Sequence, residues 1–343
     1  MKKFNRVDTL AVLLKVKPGL AAKDIIEEMT HYLFTGSDVI AYNDRICVQH
    51  PLETDFICSV DASVLESTLT KMKTKEVEIG IVKEKDKEEL VIKNSKAKVH
   101  CAIMKDHMVF EKVANLSTDF EDDPWKSLPN DFVSGARLAS YAASKDESAG
   151  TATCIRVEGN TILAGDVYRC SKYDMEEEMD SFMIKAQALE SMASYSFADY
   201  CITDSWAHFL TEDDVVFSTR VISGNFLPFD KVMEKFEGEE FPLPDDLSSS
   251  IDIASIMADD THGTVDQTIH IFINDGKLTC EGSKEEGHSR SVCAVDYDGD
   301  PIEFLINPNS LLEALKRGSL MYLGEDRAVF SSESFKHLLM FKV

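Results

Sequence analysis

In the segment IFINDGKLTCEGS, residues 271–283, apolar and polar positions alternate on both sides of a polar turn, the pattern of two antiparallel strands joined by a tight turn. Two earlier segments carry the same pattern: YLFTGSDVIAYND from Tyr32 and CIRVEGNTILAGD from Cys154. Their turn glycines, Gly36, Gly159 and Gly276, stand 123 and 117 residues apart, a third of the chain and far longer than a solenoid repeat. A second signal has nearly the same period. An apolar strand end runs into a short helix in FICSVDASVLESTL, FMIKAQALESM and FLINPNSLLEAL, and Leu65, Leu189 and Leu312 fall at matching places, 124 and 123 residues apart. Two independent features sharing one period predict a threefold internal duplication.

The first repeat predicts a helix around Asp8 to Val16, a hairpin after Thr30, a helix around Ala62 to Met72, then strands at VEIGIV, EELVIKN and AKVHCAIM. The second opens with a helix from Asp131 to Ser144, with Phe132, Ala136, Ala139 and Ala143 on one stripe. A helix near Gln187 to Ser194 and strands at DYCITD, WAHFLTE and VVFSTRVISG follow. The third opens with a helix at Leu247 to Ala258 and ends on the strands LMYLGE, RAVFSSE and HLLMFKV. Acidic, proline-bearing connectors, STDFEDDPWKSLPND and EKFEGEEFPLPDD, separate the repeats. The expected organisation is therefore α+β, with three similar domains at 1–118, 128–236 and 241–343, each packing two helices on antiparallel sheet. If the sheets continue edge to edge the body curves, and a head-to-tail contact between copies would close a ring.

Composition changes this picture little. The 343 residues are 44% hydrophobic and 28% charged, ordinary for a globular chain. The apolar stretch LAVLL near the start is too short for a signal peptide and is interrupted by Lys15, and no run reaches the length of a membrane span. The eight cysteines lie in apolar strand patterns without a C-x-x-C pair, as reduced core residues of a cytoplasmic protein would. Charge is more informative. The net charge is −25, yet residues 1–120 carry 18 Lys+Arg against 19 Asp+Glu, while 121–240 carry 10 against 24 and 241–343 carry 8 against 18. Such acidity argues against nucleic acid unless the few cations share one surface.

The segments FSTRVISGNFLPFDKVM (217–233), GDVYRC (165–170) and the terminal HLLMFKV, taken in order and spacing, resemble the bacterial DNA polymerase sliding clamp, the DNA polymerase III beta subunit, of which a divergent or phage-encoded member is one reading. The resemblance covers nearly the whole chain. It implies the DNA clamp fold arranged as a half-ring, a head-to-tail homodimer around double-stranded DNA held without regard to sequence, and tethering of DNA polymerase and clamp loader through short linear motifs. No cofactor, metal or membrane enters that picture.

Sliding on duplex asks for cations on helices without base readout. The candidates are Lys15 and Lys17 at the end of the first helix, Lys71, Lys73 and Lys75 after the second, Arg137 and Lys145 at the opening helix of the second repeat, Lys185 before its later helix, and Lys316 and Arg317 ending the last helix. The same residues could equally complement helix dipoles and solvate a surface. Against DNA stands the opening helix of the third repeat, with Asp245, Asp246, Asp252, Asp259 and Asp260 and no Lys or Arg. On that helix Leu247, Ile251, Ala254 and Ala258 form one face and Ile253, Ile256 and Met257 lie off it, as an interface would require. By the resemblance, Ile256 and Met257 meet the partner's AKVHCAIM strand at Val99 and Cys101. A partner-peptide pocket would use Asp166, Val167, Tyr168, Arg169 and Cys170 with Leu338, Leu339, Met340, Phe341 and Val343. Val167 and Tyr168 replace the family's Gly-His pair and Met340 replaces a proline, so peptide preference does not carry over.

An enzyme is the main rival class. The sequence has no P-loop, H-E-x-x-H, G-x-S-x-G or glycine-rich dinucleotide turn. DYDGDP (296–301) spaces its acids like a calcium loop, but its glycine comes too early and the closing Glu is missing. A second rival is a clamp-like platform or decoy that is not loaded on DNA, to which the acidic third-repeat helix and the altered pocket would point.

Overall fold

The computed structural model describes residues 1–22, 27–84, 87–104, 125–258 and 267–342. The first stretch of chain forms β1 (Lys2–Asn5), α1 (Arg6–Val16), β2 (His31–Phe34), β3 (Asp38–Tyr42), β4 (Ile46–Pro51), β5 (Cys58–Asp61), α2 (Ala62–Lys71), β6 (Glu76–Glu84), β7 (Lys87–Lys93) and β8 (Lys98–Met104). The middle forms β9 (Lys126–Ser127), α3 (Phe132–Ser140), β10 (Cys154–Gly165), β11 (Arg169–Lys185), α4 (Ala188–Met192), β12 (Phe197–Ile202), β13 (Trp206–Thr211), β14 (Val216–Arg220) and α5 (Phe229–Glu234). The last stretch forms β15 (Glu239–Phe241), α6 (Leu247–Ser255), β16 (Ile269–Asn274), β17 (Lys277–Lys284), β18 (Gly287–Ala294), β19 (Ile302–Ile306), α7 (Pro308–Leu315), β20 (Leu320–Leu323), β21 (Arg327–Ser331) and β22 (Phe335–Met340).

Two compact units result. Met1–Leu128 with Glu190–Ile222 make one, Pro129–Leu189 with Ser223–Val343 the other, so the middle stretch contributes to both. The first unit holds a twelve-stranded antiparallel sheet, ordered β1-β6-β7-β8-β5-β2-β3-β4-β14-β13-β12-β9. The second holds a six-stranded sheet, β10-β11-β22-β21-β20-β15, and a four-stranded one, β18-β17-β16-β19.

Polar side chains satisfy the first amides of α1, α2 and α7, whereas α3 and α6 begin without such a cap. Asn5 Oδ1 accepts from Val7 N at 3.0 Å to open α1, Asp61 Oδ1 from Val64 N at 2.8 Å to open α2, and Asn307 Oδ1 from Ser310 N at 3.0 Å to open α7. Each then turns one stripe inward: Ala62, Leu65 and Leu69 on α2, Phe132, Ala136 and Ala139 on α3, Leu247, Ile251 and Ala254 on α6, Leu311 and Ala314 on α7. The caps correct one expected correspondence. Leu65 stands four residues after Asp61, and the residue four after Asn307 is Leu311, which is buried, whereas Leu312 is only partly so. Leu311, not Leu312, is the counterpart of Leu65.

The hairpins divide two to one. Asp275 and Gly276, with φ of 49° and 70°, turn β16 into β17, and Gly36, with φ of 99°, lies between β2 and β3. Positive φ at both turn residues matches the twist of a two-residue hairpin. The expected turn at Gly159 is not one. β10 runs through it as a single strand whose register against β11 shifts on both sides of Gly159, and the chain reverses later, at residues 166–168. Gly159, φ 60°, marks an irregularity of the bulge kind instead of a hairpin turn.

Candidate partner groove and nucleic-acid surface

The reversal after β10 is built on Asp166. Its Oδ1 accepts from Tyr168 N at 2.9 Å and Arg169 N at 3.1 Å, and its Oδ2 accepts from Arg169 Nε at 3.2 Å. This Asx turn leaves Val167 76% exposed at its tip and points β11 against β22, with Arg169 opposite Leu339 and Cys170 opposite Leu338. Asn43 makes the same turn before β4, its Oδ1 accepting from Arg45 N at 3.1 Å and Ile46 N at 2.8 Å.

Beside the Asp166 turn lies a groove of about 580 Å³. The guanidinium carbons of Arg169 and Arg317 stand 4.6 and 4.2 Å from the ring centre of Tyr141, which forms its floor with Leu339 and Met340. Glu313 accepts from Arg317 at 2.6 Å and from Lys316 at 2.7 Å. Next to the groove, and sharing Met340 with it, Cys170, Phe229, Val329 and Leu338 form an apolar cluster with Phe226, Val232, Met233 and Phe236 around it. Burial pushes the Cys170 thiol up to about 12, so it behaves as an apolar group.

Of the expected pocket residues the structure brings Asp166, Tyr168, Arg169, Leu339 and Met340 to the groove, with Cys170 and Leu338 in the adjoining cluster. Val167 is at the turn tip. Phe341 stacks on Phe304 with ring centres 4.0 Å apart, away from the groove-lining set. Val343 lies outside the described residues. Sequence reasoning missed Tyr141 and Glu313, and within FSTRVISGNFLPFDKVM it did not single out Phe226 and Phe229. Their signal was present: three aromatics in a polar, proline-bearing stretch.

The ten expected DNA cations split in half. Lys15 pairs with Asp213, whose carboxyl the ammonium and the Thr211 hydroxyl hold down to about 2. Lys17 Nζ is 2.7 Å from Glu66 Oε2, while Glu66 Oε1 accepts from Tyr32 OH at 2.6 Å. Lys185 donates to Thr153 Oγ1 at 2.5 Å and lies 3.6 Å from Glu147, and Lys316 and Arg317 share Glu313. Lys71, Lys73, Lys75, Arg137 and Lys145 are exposed. None of these five has an ion pair among the described residues. Arg317 is a groove residue, a placement the sequence did not foresee.

On α6, Ile253 and Ile256 are 43% and 64% exposed while Leu247, Ile251, Ala254 and Ala258 are buried, so the two faces read from the sequence are the two faces of the helix. Met257 is half-buried, its thioether close to Gly287. Asp245, Asp246 and Asp252 flank or lie on that helix; Asp259 and Asp260 are outside the described residues. On β8, Val99 is half-buried and Cys101 is buried. β8 pairs with β7 along residues 98–102 but with β5 only at Ile103 and Met104. β18, which the sequence did not reveal, is one of the two edge strands of its sheet among the described residues.

No protein-family model matches the sequence, and no curated protein matches it. Solved structures do. The DNA polymerase III beta chain of Streptococcus pneumoniae is 16% identical with a TM-score of 0.84, covering 99% of both chains. The beta sliding clamp of Caulobacter crescentus is 15% identical with a TM-score of 0.84, over 99% of this chain and 98% of that one. The DNA polymerase sliding clamp of Bacillus subtilis is 16% identical with a TM-score of 0.81, over 99% and 98%. The fold is thus that of bacterial sliding clamps, from one end of the chain to the other. The α+β class and the clamp fold expected from the sequence are what the structure has.

Proposed function

We propose that this chain is a DNA sliding clamp, a non-catalytic processivity factor of DNA replication that encircles duplex DNA as a head-to-tail homodimer in the cytoplasm and tethers polymerase and loader. The observation that carries the reading is the end-to-end correspondence with three solved clamp structures, 98–99% of each chain. In this reading the three domains are 1–118, 128–236 and 241–343. The edge of β8 along residues 99–102, which pairs with no other strand among the described residues, meets β18 of a second copy, with Ile253, Ile256 and Met257 beside the seam. Edge strands with open backbone groups favour such pairing. Lys71, Lys73, Lys75 and Arg137, four of the cations without ion pairs, face the duplex, and the groove with its apolar cluster, lined by the fifth, Lys145, receives partner peptides.

The test is retention on DNA of defined topology. Loaded by a matching clamp loader, the protein should stay on nicked circular DNA and leave within minutes once the circle is cut. Retention indifferent to that cut contradicts the reading. One observation favours a second reading, a clamp-like platform that is not loaded: half the expected cations are already paired with carboxylates. The same experiment separates the two, because a platform stays off DNA even with the loader present.

A further inference from the structure

The groove at Tyr141 is an exception in this acidic chain. Among the described residues, Lys145, Arg169, Arg317 and Lys342 line it against Asp166 and Glu313. Both acids are turned toward the protein itself. Asp166 spends Oδ1 on two backbone amides and Oδ2 on Arg169 Nε, and Glu313 is shared between Lys316 and Arg317.

The guanidinium groups are not used up in the same way. Arg169 gives only Nε to Asp166, and Arg317 gives only one terminal nitrogen, to Glu313. The remaining donors of each fork have no hydrogen bond among the described residues. A guanidinium has five N–H groups in a fixed plane, matched to a carboxylate's two oxygens. Stacking on one tyrosine ring holds both forks in place, and their side chains are only 17% and 22% exposed, so water weakens a contact there less than on open surface. The first turn of α7, at Asn309 and Ser310, also borders the groove and adds the positive end of a helix. Met340 joins this charged floor to the apolar cluster of Phe229 and Leu338.

We propose that the groove selects partner segments carrying a Glu or Asp side chain a few residues from their apolar anchors, with Arg169 and Arg317 holding the carboxylate. This rests on the reading of the groove as a peptide site and adds the partner's charge to it. Charge complementarity with the open guanidinium donors of the groove makes the acidic segment the occupant.

The test uses fluorescein-labelled peptides ending in Gly-Leu-Leu-Phe, with Glu at one, two or three positions before the first Leu, and the matching Gln and Lys peptides. Fluorescence anisotropy on the wild-type protein should show the best Glu peptide binding about tenfold tighter than its Gln partner and the Lys peptide weakest. The Glu preference should shrink as salt rises from 50 to 500 mM. In Arg317→Gln it should fall below about twofold, with the melting curve recorded to confirm folding. Equal binding of Glu and Gln peptides overturns the acid selectivity and leaves the peptide site standing. Binding of none of the peptides overturns both.

Discussion

Ser171 Oγ and His337 Nδ1 share a hydrogen bond of 2.7 Å across the β11–β22 ladder, and neither residue is exposed at all. The imidazole lies 5.4 Å from the Tyr141 ring and near the cations Arg169 and Arg317. Burial, reinforced by those two charges, pushes its pKa from the ordinary 6.5 down to about 3. His208, bonded to Ser218 Oγ at 2.7 Å, is pushed to about 4 by burial.

A pH dependence follows from these two residues. Between pH 6.5 and the folded values the unfolded chain takes up protons that the folded chain refuses, so stability is full above about pH 6.5 and is lost as pH falls. Each histidine contributes a loss of about 1.4 kcal/mol per pH unit within that window. Urea unfolding at pH 7.5, 6.0 and 5.0 should show the fall, and His337→Gln should reduce its slope. An unchanged slope in the variant would remove His337 from the account.

The two faces of α6 predict opposite behaviour from one substitution. Ile251→Ala, at a fully buried position, should cost about 2–4 kcal/mol, whereas Ile256→Ala, at 64% exposure, should stay within about 0.5 kcal/mol of the wild type in the monomer. Chemical denaturation of both variants at low protein concentration checks this. Comparable losses would mean that Ile256 packs inside its own domain.

The division of cations predicts unequal roles in DNA binding. Replacing Lys71, Lys73 and Lys75 together with Ala should lower the slope of log affinity against log salt by about 2–3. Lys17→Ala should alter it less, since that ammonium already serves Glu66. Filter binding or anisotropy on duplex DNA over a salt series reads both slopes, and an equal effect of the two variants would contradict the assignment.

How much of this was legible in the sequence depended on the range of the interaction. The Asp275–Gly276 hairpin and the inward stripe of α3 are local, set by turn chemistry and helical period, and they stand where the sequence placed them. Gly159 misled because a glycine with positive φ serves a strand irregularity as well as a turn, and only the partner strand distinguishes them. Leu311 and Leu312 are alike in the sequence, and the bond from the cap Asn307 to Ser310 N is what sets the helix phase. β18 escaped because the sequence GHSRSVCA alternates small and polar residues with hardly any apolar signal. The pairing of Lys15 with Asp213 spans 198 positions and the gathering of Tyr141 with Arg317 spans 176, so no local pattern carries them.

The central claim, that two copies close head to tail, is tested most directly by sedimentation equilibrium of the wild type beside Ile256→Asp. The account predicts a wild-type mass of twice the 38.3 kDa chain and a variant at or near the single-chain mass, still folded by circular dichroism. A wild type that sediments as a single chain, or a variant that remains fully dimeric, would contradict it.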